Sequence, residues 1–382
     1  MVSDSKLSTS CTTQPNNSKN PNTMDNHKFL HAYMNAYSPV GREIEGQKIW
    51  VNYMKQFTTD IKVDAYGTAY AKISATSRSL EPRRKVVLEA HCDEIAWIVT
   101  QIEEKGLVRV KRHGGSDTMI AASKTVAIHT HDGKTVKGLF GWPAVHVRKE
   151  WEEKGPAPHE LWIDLGVDSA EKVAELGVEV GNCVTFDDPF FELGDYYVGK
   201  SLDNKIGGYI IAEAARKLAK SELPFDLYIV NSVQEEVGLY GARLIAQTIK
   251  PDIAFVHDVT HETSTPRMEP AKNGDIKAGK GPVIEYSSQN HRDLIDLFRQ
   301  VSKNADIPMQ HAVGSYGNDT VSFFMENCPT AILASPLKYM HTTVEMVHKQ
   351  DVENAISAFV ISILELNPIK IAAINDQTSK YI

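Results

Sequence analysis

Several short apolar runs in this sequence end in side chains that could hold a metal ion. The run 86–88 leads into His91-Cys92-Asp93-Glu94, and 227–230 leads into Gln234-Glu235-Glu236. The run 253–256 leads into His257-Asp258, and 331–333 leads through a short connection to His341. A fifth group, Asp203, stands in Gly199-Lys200-Ser201-Leu202-Asp203-Asn204-Lys205, just ahead of a helical pattern. Imidazole and carboxylate together are ligands of intermediate hardness that suit Zn2+, Co2+ or Mn2+. Each residue alone has a plainer role. A strand-end histidine usually satisfies a structural hydrogen bond, a Glu-Glu pair usually opens a solvated helix, and an Asp ahead of a helix usually caps it. With 14 histidines in the chain, His257 and His348 show how easily one falls near a motif. The joint placement is what points to a site, because in open α/β sheets ligands bind outside the carboxyl ends of the strands.

The elements that must position these groups follow from the apolar pattern. Short runs at 86–88, 227–230, 253–256 and 331–333, with amphipathic segments at 205–220 and 238–249, read as an α/β fold with a mostly parallel sheet covered by helices. Upstream, Phe29, Leu30, Tyr33 and Met34 mark a helix and 43–57 a second, with Ser38-Pro39-Val40-Gly41 as the turn between them. Residues 61–63 and 72–73 read as a hairpin. The stretch 105–195 is different: rich in Gly, with β-like runs at 107–110, 125–129, 135–139, 161–164 and 184–186 and one helical segment near 169–176. It is expected to be an inserted, small β-barrel-like domain. The organisation expected is a disordered tail over 1–25, a catalytic α/β domain over 26–104 and 196–382, and the β-rich insert over 105–195.

Composition narrows the function. With 382 residues, 42% of them hydrophobic, the chain can bury a large core without disulfides. Its net charge of −8 argues against nucleic acid as a partner, since binding the phosphate backbone needs clustered Lys and Arg. Four cysteines, Cys11, Cys92, Cys183 and Cys328, are too scattered for a disulfide framework. No apolar run reaches the ~18–20 residues of a membrane span, so no membrane partner is expected. Residues 1–25 lack the apolar core of a secretory signal, which leaves the cytoplasm as the expected location.

Six blocks in order, from residue 27 to about 365, carry a resemblance. They are Ser38-Pro39-Val40-Gly41-Arg42-Glu43, Ala90-His91-Cys92-Asp93-Glu94, Ser201-Leu202-Asp203-Asn204-Lys205, Val233-Gln234-Glu235-Glu236-Val237-Gly238, Asp258-Val259-Thr260 and Tyr339-Met340-His341. With a β-rich insertion between the first two ligand blocks, the chain resembles the M42 family of metallo-aminopeptidases, cytosolic enzymes that often assemble into tetrahedral dodecamers. The resemblance implies a di-zinc exopeptidase-like fold and removal of N-terminal residues from peptides with free N-termini. It implies two divalent metal ions, Zn2+ foremost with Co2+ or Mn2+ as alternatives, and a homo-oligomer built through the insert. Asp203 would bridge the metals, His91 and Asp258 would complete one site, and Glu236 and His341 the other. Glu235 would be the general base towards a metal-bridged water, and Asp93 would orient His91.

The chain departs from the family at two places. Relatives commonly read Asp-Asp-Arg where Asp203-Asn204-Lys205 stands, and Gly-Thr-Asp-Ala where Gly317-Asn318-Asp319-Thr320 stands. Gly317 and Asp319 are the candidate substrate contacts, with 262–266 and 314–320 as the stretches expected to line the pocket. Rival readings are a di-metal carboxypeptidase or deacylase with the same ligand logic, a glycoside hydrolase using Glu235 and Glu236, and a non-catalytic scaffold. A glycosidase would leave His91, Asp258 and His341 without a role.

Overall fold

The computed structural model describes residues 24–76, 83–148, 155–314 and 317–382. Residues 1–23 of the expected tail lie outside the described residues. Four strands form the middle of an 11-stranded sheet, in the spatial order Asp226–Ser232, Lys85–His91, Ile253–His261, Thr330–Lys338, all parallel. Their apolar residues alternate between two cores. Val86, Leu88, Leu227, Ile229, Phe255 and Leu333 face one core, shared with the helices Asn26–Asn35, Leu202–Leu218, Arg292–Asn304 and Lys349–Leu364. Val87, Val230, Ala254, Val256 and Ile332 face the other, with Ile245 and Phe323 from the helices Tyr240–Ile249 and Thr320–Met325. Burial on both faces is why these strands read as unbroken apolar runs.

The sheet as a whole is mixed, which corrects the expectation of a mostly parallel one. Ala69–Ile73 pairs antiparallel with Asp226–Ser232 at one side and with Ile61–Val63 beyond it. At the other side Thr330–Lys338, Glu345–His348, Tyr196–Gly199 and Phe191–Leu193 follow one another antiparallel. Val283–Tyr286 also pairs antiparallel with Thr330–Lys338 and parallel with Gln310–Val313. Apolar periodicity reports burial, not strand direction, so the outer strands could not be oriented from it.

The insert is a closed six-stranded barrel in the order Ala96–Ile102, Val108–His113, Trp162–Asp164, Thr135–Phe140, Thr125–His129, Cys183–Phe186. It has its own core, including Trp97, Val110, Ile128, Phe140, Ile163 and Val184. Composition drew the insert at 105–195; strand pairing runs from Ala96 to Phe186, because Ala96–Ile102 continues directly from the first ligand block. Trp97 pairs with Val184, so the chain enters and leaves the barrel side by side.

A buried ion cluster locks the turn at 38–41 to this junction. Glu94 accepts hydrogen bonds from Ser38 N (2.7 Å) and Lys200 Nζ (2.5 Å), with Lys205 Nζ 3.6 Å away. Lys205 also donates to the Ala36 carbonyl. Among the described residues no single helix is long and apolar enough to cross a membrane. Lys349–Leu364 and Pro368–Asn375 pass that test only together, and they are bent by 94°.

Candidate metal centre

Three of the four central strands bring ligand-capable groups to one end of the sheet, and two turns supply the rest. His91 ends its strand and pairs in register with Ser232, two residues before the Gln234-Glu235-Glu236 turn. Gln234 has φ +59°, which turns the chain so that the amides of Glu235 and Glu236 both point at Asp93. Asp93 Oδ1 accepts from Glu235 N (3.0 Å) and Oδ2 from Glu236 N (3.1 Å), while Oδ1 also lies 3.4 Å from His91 Nδ1. One carboxylate thus braces an imidazole and the backbone of two acidic residues. Asp258 sits within the Ile253–His261 strand, and His341 on a turn with φ +62°.

Asp203 is held differently from the expected helix cap. Ser201 occupies the N-cap position, and Asp203 and Asn204 have non-helical dihedrals, with a cis peptide bond between them. The Asp203 carboxylate is therefore free of capping and reaches both histidines. His91 Nε2 lies 3.3 Å from Asp203 Oδ1 and 3.7 Å from Asp258 Oδ1; His341 Nε2 lies 3.3 Å from Asp203 Oδ2 and 3.4 Å from Glu236 Oε1. Two triads result, His91–Asp203–Asp258 and Asp203–Glu236–His341, each with its ligand atoms within 4.8 Å of one another. Neighbouring ligands of a tetrahedral ion at ~2.0–2.2 Å stand about 3.3–3.6 Å apart, close to the 3.3–3.7 Å of these pairs, so both triads suit a divalent cation.

Electrostatics agree with that fit. Burial pushes the carboxyls of Glu236 and Asp258 upward, and raises Glu235 to about 10 with Asp319, Asp258 and Glu236 adding to it against His91. Burial alone would lower His341, but Asp203 and Glu236 outweigh it and hold the imidazole at about 11. So much crowded negative charge calls for positive charge, and without an ion the imidazoles supply it as protons.

The cavity over these groups has a volume of about 480 Å³. It is lined by His91, Asp203, Glu235, Glu236, Asp258 and His341, and also by His261, Glu285, Gly317 and Asn318. Gly317 therefore borders the cavity. Asp319 does not; it is 1% exposed and accepts from Ser232 Oγ at 3.2 Å. From 262–266 no residue lines the cavity among the described residues, and His261 stands there instead; Ser315 and Tyr316 lie outside the described residues. His257 has the plainer role: it is buried between Asn204 Oδ1 (3.2 Å) and Ser335 Oγ (2.9 Å), and burial pushes its ring down to about 3. Cys92 is buried off the cavity.

Glu345 was missed. Its Oε2 accepts from Asp203 N (3.1 Å) and its Oε1 from His341 N (2.7 Å), joining the two turns that present the second triad. In sequence it is one more acidic residue at the start of a short strand, and only its burial, at 2% exposed, sets it apart.

A carboxylate- and imidazole-lined cleft at the carboxyl ends of parallel strands defines a hydrolase centre suited to metal ions. The family model for M42 glutamyl aminopeptidase matches residues 71–357, and the chain belongs to that family, whose members are exopeptidases acting at peptide N-termini. The lysyl aminopeptidase of Pyrococcus furiosus is 31% identical over 331 residues, covering 84% of this chain and 91% of that one. The structure of a TET aminopeptidase from a marine-sediment Thaumarchaeota archaeon superposes with a TM-score of 0.85 at 28% identity, over 91% of this chain and 98% of that one. The TET1 peptidase of Pyrococcus horikoshii, which can assemble into a tetrahedron or a large octahedral shell, gives 0.79 at 30% identity, over 90% and 100%.

Proposed function

We propose that this aminopeptidase works with two divalent cations, one in each triad, bridged by Asp203, and with Glu235 as general base. The observation that carries the reading is that the two oxygens of Asp203 each stand 3.3 Å from a different histidine. Bound there, the cations would supply Lewis acidity to the scissile carbonyl and lower the pKa of a water at neutral pH. Glu235 lines the same cavity, 3.9 Å from His91 Nε2, yet belongs to neither triad. That leaves its carboxylate to take a proton and return it to the leaving amine. Asp93 holds the backbone of Glu235 and Glu236, so that one carboxylate serves as base and its neighbour as ligand. Burial, with the neighbouring carboxylates adding to it, keeps Glu235 protonated without ions, and added positive charge reverses that.

Zn2+ suits the donor set best, with Co2+ and Mn2+ as alternatives. The barrel is the proposed assembly surface for a homo-oligomer, as the neighbouring TET1 assemblies suggest by analogy. Peptide anilides with free and acetylated N-termini, presented after reconstitution with each metal, test the reading. Turnover of free N-termini alone, abolished by chelators, is the expected result. Equal cleavage of acetylated substrates would instead support a deacylase, and release of C-terminal residues a carboxypeptidase.

A further inference from the structure

We infer a second metal site, on the surface, formed by His27, His31 and Glu192, which staples the first helix to the edge of the sheet. His27 and His31 are one turn apart on the Asn26–Asn35 helix, which sets both imidazoles on the same side. Glu192 comes from Phe191–Leu193, the last strand in the sheet order. Both Nε2 atoms converge on a single oxygen, Oε1 of Glu192, at 3.3 Å from His27 and 3.4 Å from His31. The two rings lie 4.4 Å apart, and the three ligand atoms lie within 4.8 Å of one another.

These separations exceed the usual ~2.9–3.0 Å of an N–H···O bond. They match instead the ~3.3–3.6 Å between adjacent ligands of a tetrahedral Zn2+. They also fall within the spacing of the buried centre, whose four imidazole–carboxylate pairs stand at 3.3, 3.7, 3.3 and 3.4 Å. The same separation recurs in a place with no catalytic cleft.

Two contacts hold the trio ready. Lys349 Nζ takes the other oxygen, Oε2, at 2.6 Å and donates to the Gly194 carbonyl at 2.9 Å. The carboxylate is thereby fixed with Oε1 facing the histidines, and ligating carboxylates commonly carry such an outer hydrogen bond. The His31 ring meets Phe190 edge-on at 5.0 Å, which fixes its plane. Two imidazoles and one carboxylate suit Zn2+, and His27, 68% exposed, leaves the fourth position open to water. The helix already buries Phe29, Leu30, Tyr33 and Met34 on its inner side. An ion on its outer side would tie it to the sheet edge and, through Lys349, to the start of Lys349–Leu364. Binding only the folded chain, the ion would raise the melting temperature, by an amount that grows with the logarithm of its concentration above Kd.

The test is equilibrium dialysis of the full chain against micromolar Zn2+, with bound zinc per chain measured for the wild type, His27→Asn, His31→Asn and Glu192→Gln. Each variant is expected to bind one zinc fewer than the wild type, to keep its peptidase activity and to lose part of the zinc-dependent rise in melting temperature. The readout is a difference between chains with the same buried centre, so it stands apart from how many ions that centre takes. Variants that bind as much zinc as the wild type overturn the site. That holds whether or not they melt earlier, since earlier melting alone would mark a hydrogen-bonded trio.

Discussion

The two triads that share Asp203 are built in opposite ways. The His91 side stands on the central sheet: His91 ends one parallel strand, Asp258 lies inside the next, and the His91 side chain is 2% exposed. The His341 side stands on turns, and its imidazole is 32% exposed at the cavity. Strand-borne ligands are held by the ladder and two cores, whereas turn-borne ligands are held by a few hydrogen bonds such as those their backbone amides donate to Glu345. An ion on the first side should therefore exchange slowly, and one on the second should exchange readily.

Asp203→Asn breaks the comparison outright, because it removes the group both sides share. Metal content is expected to fall on both sides and turnover to reach background; two ions per chain retained by elemental analysis would refute the bridge. Glu235→Gln is next in size. It should keep the wild-type metal content while turnover falls by at least about 10²-fold, and near-normal turnover with full metal would remove Glu235 from the role of base.

His91→Ala set against His341→Ala sharpens the contrast between the sides. Excess Zn2+ should restore much of the activity of the His341 variant and little of the other, and equal rescue would show the two sides to be alike. The same pair predicts a pH dependence. Without ions both imidazoles are held well above their ordinary value by the surrounding carboxylates, so cations must displace protons and metal affinity rises with pH. Titration with Zn2+ at pH 6 and 8 should show tighter binding at the higher pH, with protons released on binding at both. Glu345→Gln is the smallest change. Losing one of two accepted bonds, from Asp203 N or from His341 N, should cost about 10–100-fold in affinity, and an unchanged titration would mean the two turns hold themselves.

The ligands that follow apolar runs are legible, whether they stand on a strand or on the turn after it. His91, Glu236 and Asp258 follow apolar runs whose burial on both faces leaves an unmistakable pattern, and the ends of parallel strands converge by geometry. His341 was legible because it follows such a run by one short turn. Asp203 was found by type and motif, but its backbone was not: nothing in Ser201-Leu202-Asp203 distinguishes a capping aspartate from one turned into a cavity. Glu345 and the depth of Asp319 were out of reach for the same reason, since burial of a single carboxylate depends on which loops cross above it. The barrel showed itself as a change in texture, while its closure and the directions of the outer strands depend on pairings that periodicity does not encode.

The side-by-side entry and exit of the barrel bear on how the protein comes together. His91 and Asp203 are far apart along the chain, and a slack connection of that length would resist being drawn closed. Once the barrel has zipped itself shut through Trp97 and Val184, that connection becomes a short clasp whose two ends already touch. The closed barrel thus shortens the effective connection between the first and second ligand blocks from a long loop to the two short segments that flank the barrel.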